Sequence, residues 1–308
     1  MSNGVYIYEE SQDVIHKRKV DRAKLLSIRY TCKVLIIGIL VLVAFLMLFP
    51  YLYMVFTSFK SSHEVTTDMS FYLFPKEFTW ENYTKIFDPT IIPLANGFLN
   101  TLIIEVVVLI VGTFTTTLAA FAFSRINFAG KNIVFYMLLT SMMIPYVAVL
   151  VPQYDAFLQI GWYDTLLPLI IPGLFGNVSM MFFLKQYADS IPNDVYEAAE
   201  VEGAGFFTIY WRVFLPLVRP AILAQVIFWF LGIWNDFLAP DLYLPTTENK
   251  TLQVMIRWFN QDAGGGGSLV NQPLVMAASV LSSIPTLTIY MIFQKYFVNT
   301  FMLSGVKR

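Results

Sequence analysis

Six stretches of about twenty residues run through this chain with scarcely a charge: 34–56, 101–123, 133–152, 165–184, 217–238 and 274–293. About twenty apolar residues is the length at which a helix crosses a bilayer. Inside hydrocarbon every backbone N–H and C=O must be paired within the protein, which leaves helices or a closed barrel. Barrel strands would show as alternating segments of about ten residues, and these runs do not alternate. The sequence therefore predicts an all-α, polytopic membrane protein with six transmembrane helices. Only 13% of its residues are charged, about half the share of a soluble domain. The first run begins at Val34 and is too long for a signal-peptide core, so no cleavable leader is expected. The single cysteine, Cys32, excludes an internal disulfide and reads as an interfacial residue beside a basic flank; palmitoylation is the other option.

Six spans place both termini on one side, and the distribution of cations says which. Lys17, Arg18, Lys19, Arg22, Lys24, Arg29 and Lys33 precede the first span. Arg125, Lys131, Lys185, Arg212, Arg219, Lys295, Lys307 and Arg308 fall on the same side. Lys60, Lys76, Lys85, Lys250 and Arg257 fall on the other. Fifteen of the 20 Lys and Arg thus mark the cytoplasmic side. The expected layout is a cytoplasmic tail at 1–33, a membrane domain at 34–298 and a cytoplasmic tail at 299–308. Residues 57–93 and 239–272 form external loops, and 185–216 a cytoplasmic one. The basic tail reads as a solvated segment that orients the first span, with no nucleic-acid partner.

The most polar run between spans is Asn193–Ala204. Pro192 suits a helix start, Asp194 faces the positive end of the helix dipole, and Gly203 suits a left-handed stop. A helix of about three turns is expected. Beyond it, Phe207, Tyr210, Trp211 and Phe214 recur at i, i+3, i+4 and i+7, which predicts one aromatic stripe on a second short helix. An acidic helix, a glycine elbow and an aromatic-faced helix between two spans fit a docking element or an ordinary interfacial loop.

Catalytic chemistry is poorly represented. No Gly-x-x-x-x-Gly-Lys-Ser/Thr run occurs, so the chain itself binds no ATP by that route. Gly264, Gly265, Gly266 and Gly267 lack the Lys and Ser/Thr of such a loop. His16 and His63 lie in separate polar flanks and make no metal pair. Neither an enzyme nor a metal site is expected. Glu105 is the one carboxylate deep in a span, read as about one turn from the outer end. Such a residue usually faces the protein interior or a water path, so it either lines a translocation path or serves a neighbouring helix. Asn235 and Asp236, at the outer end of the fifth run, read as caps.

Glu197-Ala198-Ala199, then Glu202-Gly203-Ala204, Phe207 and Leu215-Pro216 resemble the EAA loop of ABC-importer permease subunits. Ser58-Phe59-Lys60, Asn82-Tyr83, Asn100-Thr101, Ala119 to Arg125, Met142 to Pro145, Trp234 to Phe237, Lys250 to Gln253 and Phe293 to Tyr296 resemble the carbohydrate branch of that family, of maltose-importer type. Glu202 stands where the family usually has Asp, and Arg308 where it commonly has Gly. The resemblance implies a type I (MetI-like) transmembrane domain in a bacterial cytoplasmic membrane. It implies a second permease subunit, two ABC ATPase subunits that bind ATP and Mg, and an extracytoplasmic solute-binding protein. The implied cargo is a sugar or oligosaccharide, carried without a cofactor in this chain. The implied coupling residues are those of the EAA loop, and Gly264–Gly267 would probe the docked binding protein. One deep carboxylate and no deep cation fit a neutral, hydroxyl-rich cargo better than a glycerophosphodiester or a polyamine. A stand-alone secondary transporter or channel is the rival from another class.

Overall fold

A computed structural model describes residues 3–67, 72–88, 93–261 and 272–305, and all regular structure among them is helical. The helices are α1 (Asn3–Ser58), α2 (Ser62–Thr67), α3 (Glu81–Lys85), α4 (Leu94–Val107), α5 (Thr113–Arg125), α6 (Lys131–Ser141), α7 (Tyr146–Gln159) and α8 (Leu167–Leu174). They continue with α9 (Val178–Asp189), α10 (Asp194–Val201), α11 (Phe206–Ile209), α12 (Leu215–Trp234), α13 (Leu238–Tyr243), α14 (Leu252–Gln261) and α15 (Gln272–Gly305). Residues 1–56 and 57–308 form separate units.

Among the described residues five stretches are long and apolar enough to cross a bilayer: Arg29–Ser58, Leu94–Arg125, Leu167–Asp189, Phe206–Trp234 and Gln272–Gln294. The third expected span, 133–152, is not one helix. It is the pair α6 and α7, bent by 96° at their junction. The cause is local: Pro145 has no N–H to donate to the preceding turn and disfavours helix at the residue before it, and its own backbone is extended with ψ 128°, so the helix stops and restarts. In the first unit, α1 carries the basic residues and the apolar run on one helix, with none of its most apolar window buried. Side chains that face lipid lose nothing by exposure, since lipid tails are as apolar as leucine.

Two spans carry π-helical turns. Leu94–Arg125 widens at Val108–Gly112, between α4 and α5. There Gly112 packs so closely on the fourth span that an added Cβ would lie 2.5 Å from the Gly173 carbonyl oxygen and 2.5 Å from the Trp229 ring. Small residues of this kind let membrane helices approach at backbone distance. The second π turn, Tyr210–Phe214, joins α11 to α12. Pro216 follows it and offers no N–H to the carbonyl four residues earlier, which a widened turn accommodates.

The core of the second unit has three parts. One, near the polar 190–205 segment, joins Phe121, Met180, Leu184, Tyr196, Tyr210, Phe214 and Val218. A second joins Ile86, Leu94, Phe230, Trp234, Leu252, Met255 and Leu274. The third is smaller, around Leu150, Ala239, Tyr243 and Leu244.

The short motifs that looked isolated in the sequence meet in pairs. The Asn82 amide donates to the Ser58 and Lys60 carbonyls, both at 2.8 Å. The Ser58 and Tyr83 hydroxyls lie 2.8 Å apart. The Asn100 amide donates to the Glu248 and Lys250 carbonyls at 2.9 and 3.1 Å. The Leu252 N–H donates to the Thr101 hydroxyl at 2.9 Å. The Trp234 indole donates to the Ser282 carbonyl at 3.0 Å. Both expected external loops thus hold helices, α2 and α3 in one and α13 and α14 in the other. The four glycines 264–267 lie outside the described residues.

Candidate functional site

Helices enter the 185–216 stretch from both sides, so the polar segment between spans is 190–205. At its start the Lys185 ammonium and the Asp189 carboxylate pair at 2.6 Å, one turn apart. The Asn193 carbonyl then accepts from Tyr196 and Glu197 N–H at 2.8 and 3.0 Å, opening α10. Pro192 precedes the helix, and α10 has eight residues, about two turns rather than three. It stops in a Schellman motif: Gly203 N–H donates to the Glu200 carbonyl at 2.9 Å and Ala204 N–H to the Ala199 carbonyl at 3.0 Å. Gly203 has φ +83°, the left-handed value this motif requires.

One side chain of α10 turns inward. Tyr196 is buried against Arg125, whose guanidinium lies 3.8 Å over the ring. Arg125 also donates to the Asn193 side-chain oxygen and to the carbonyls of Ala188 and Ile191, the last at 3.2 Å. Burial pushes the Tyr196 phenol above its ordinary value, while the Arg125 cation beside it pulls the other way. Sequence reasoning counted Arg125 as a cytoplasmic charge and as the end of a family-like run, and missed these contacts. The weak signal was a lone arginine closing an apolar span, and nothing in its spacing names partners more than sixty residues on.

The rest of α10 points out. Glu197, Ala198, Glu200 and Glu202 are exposed, and Val201 is 88% exposed. Ala199, Ala204 and Leu215 pack half-buried against the core. The aromatic stripe is not one stripe. Tyr210 and Phe214 are buried, whereas Phe207 is 77% exposed and Trp211 is exposed as well. The π turn over Tyr210–Phe214 changes the angular spacing, which a constant 3.6-residue period does not anticipate. Val201, Phe206 and Phe207 thus expose apolar side chains in the same stretch as the exposed Glu197, Glu200 and Glu202, and this stretch forms the tip of a foot, the segment from 190 to 207. A polar cavity of about 370 Å³ opens next to that tip, lined by Ser124, Arg125, Asn127, Asn193, Glu197 and Glu200 among others.

Behind the foot, the buried aromatics tie two spans together. The Tyr210 and Thr117 hydroxyls lie 2.8 Å apart. Phe121 meets Phe214 at 5.1 Å and Tyr210 at 5.5 Å between ring centres. Glu105 is elsewhere, 2% exposed and eleven residues into the Leu94–Arg125 span. That is about three turns from the start of the helix, not one, because the helix begins at Leu94, earlier than the charge-free run suggests. Neither carboxylate oxygen has a hydrogen-bond partner among the described residues. Asn235 and Asp236 are caps: the Asn235 amide donates to the Leu231 carbonyl at 2.8 Å, and Asp236 accepts from Leu238 N–H at 3.1 Å.

A multi-span helical bundle with an exposed acidic and aromatic foot between two spans is the form of a membrane transport subunit. Residues 109–302 match the family of binding-protein-dependent transport system inner membrane components. The chain belongs to that family and is a multi-pass membrane protein. It is 30% identical to the inner membrane ABC transporter permease protein YcjP of Escherichia coli, over 84% of this chain and 91% of that one. It is 31% identical to the diacetylchitobiose uptake system permease protein NgcG of Streptomyces coelicolor, over 84% and 83%. It is 28% identical to the arabinooligosaccharides transport system permease protein AraQ of Bacillus subtilis, over 86% and 92%. Among solved structures, a bacterial ABC transporter that imports the acidic polysaccharide alginate shares the fold, with a TM-score of 0.75 at 23% identity over 86% of this chain and 95% of that one.

Proposed function

We propose that this chain is a permease subunit of an ATP-driven, binding-protein-dependent importer of a sugar or oligosaccharide. The carrying observation is the foot: Val201, Phe206 and Phe207 exposed beside Glu197, Glu200 and Glu202, on the side where cations concentrate. An apolar tip ringed by charge is the composition of a protein-docking surface. Relatives named for arabinooligosaccharide and diacetylchitobiose uptake support the cargo class. Two separate ATPase subunits bind ATP and Mg, a second permease completes the path, and a solute-binding protein delivers cargo from outside. Both termini and the 190–205 segment face the cytoplasm of a bacterial cell.

In this reading ATP closes the ATPase pair and pulls on α10. Glu197 pairs with a cationic side chain of the ATPase, Ala198 permits close approach, and Gly203 sets the angle between α10 and α11. The spans then rock between inward-open and outward-open forms. Removing one member of a buried ion pair costs about 3–5 kcal/mol, enough to uncouple the parts. Glu197→Lys and Gly203→Pro should abolish uptake by the intact complex while the protein stays in the membrane. Normal uptake by both variants would remove the coupling assignment.

A further inference from the structure

The foot joins the bundle by three routes, and two are the chain itself: residues 190–193 lead back into α9 and the Leu167–Asp189 span. Through Gly203, α10 continues into α11 and so into the Phe206–Trp234 span. The third route is Arg125, the last residue of the Leu94–Arg125 span. Its guanidinium reaches across to three successive parts of the foot. It caps the end of α9 through the Ala188 carbonyl, holds the connecting turn through Ile191 and the Asn193 side chain, and lies 3.8 Å over the Tyr196 ring of α10. Arginine suits this task because its planar fork donates several bonds while its face stacks on an aromatic ring.

We infer that Arg125 is the positioning residue through which movement of α10 reaches the second span, so that the second and fifth spans move as one. Resting on the reading of α10 as the ATPase-docking helix, this names how that site acts. The two spans also meet behind the foot, at the Thr117–Tyr210 hydroxyl pair and at Phe121 against Phe214. Without Arg125 the foot would still be tethered by the chain at both ends, and Tyr196 would lose the cation that covers its ring. The foot would then swing more freely, and its push would reach the second span only indirectly, through those contacts behind it. Docking would survive, since Glu197, Val201, Phe206 and Phe207 lie on the outward side.

The test is made on the whole importer with its ATPases and binding protein in proteoliposomes, reading cargo moved per ATP hydrolysed. Arg125→Ala should leave assembly and ATP hydrolysis in place and lower that ratio at least tenfold. Arg125→Lys keeps a cation over the ring but loses the forked hydrogen bonds, and should lower the ratio several-fold. A wild-type ratio in an assembled Arg125→Ala complex overturns the inference. Loss of assembly in Arg125→Ala with a wild-type ratio in Arg125→Lys overturns it too, because Arg125 would then serve folding alone. Loss of assembly with a lowered ratio in Arg125→Lys supports it. If the unmodified chain neither holds ATPase subunits nor moves cargo, the proposed function fails first, and that result is distinct from the others.

Discussion

At the scale of single residues, two carboxylates carry contrasting chemistry. Asp164 is a non-glycine residue with φ +58° in the turn between α7 and α8, a backbone value that Asp tolerates better than most. Its carboxylate accepts from the Thr246 N–H at 3.2 Å, the Thr246 hydroxyl and the Asn249 amide at 3.2 Å. Burial alone would raise the pKa of its carboxyl, but these hydrogen bonds and the Lys250 charge hold it below its ordinary value. A carboxyl that titrates lower folded than unfolded adds stability above about pH 4, and loses it as pH falls through the folded value. Amide protection at 160–166 and 244–250, corrected for the intrinsic exchange rate at each pH, should therefore fall with acid in the parent and depend less on pH in Asp164→Asn. Equal pH dependence in the two proteins would exclude the clamp. Glu105 has no such partners. Glu105→Gln keeps the shape of the side chain and breaks no hydrogen bond among the described residues, so the complex should melt no earlier than the parent. A fall of more than about 4 °C, which corresponds to about 1 kcal/mol or more, would reveal a bond that Glu105 makes elsewhere in the assembly.

At the scale of helices, the crossing of the second and fourth spans rests on backbone contact at Gly112. Gly112→Ala sets a methyl 2.5 Å from both the Gly173 carbonyl oxygen and the Trp229 ring. Overpacking of this kind costs about 1–3 kcal/mol. Trp229→Phe in the same chain should recover part of the lost melting temperature, because the backbone clash at Gly173 remains. Full recovery would show that the ring alone sets the spacing. This scale also shows what the amino-acid order made legible. Apolar length located the spans, and Gly203 marked the stop of α10 because φ > 0 favours glycine strongly. The π turns at Val108–Gly112 and Tyr210–Phe214 were not legible. One lies where Gly112 meets Gly173 and the other just before Pro216, and they shift the angular period by which a stripe is read. Hence Phe207 and Trp211 parted from Tyr210 and Phe214. The 96° break between α6 and α7 was hidden by an unbroken apolar run, although Pro145 marked the place. Arg125 escaped because its partners are distant in sequence.

At the scale of the molecule, the foot lies between the Leu167–Asp189 and Phe206–Trp234 spans, on the side to which the count of cations in the sequence assigns fifteen of 20 Lys and Arg. Membrane orientation follows such a bias in short loops, and a foot on the cytosolic face meets the compartment that holds ATP. The importer reading requires that this surface be covered by a nucleotide-hydrolysing protein when the assembly is complete. Cys32 is the single cysteine of the chain, so Cys32→Ser gives a background in which one new thiol reports alone. Val201, at the exposed tip, is the position to carry it. In Cys32→Ser/Val201→Cys, an impermeant maleimide should label residue 201 in inside-out vesicles and not in intact cells. A bifunctional maleimide should link it to a copurified ATPase with a yield that changes when ATP is added. Labelling of residue 201 from the outside of intact cells, or a complete assembly in which it links to no ATPase, would contradict the importer reading.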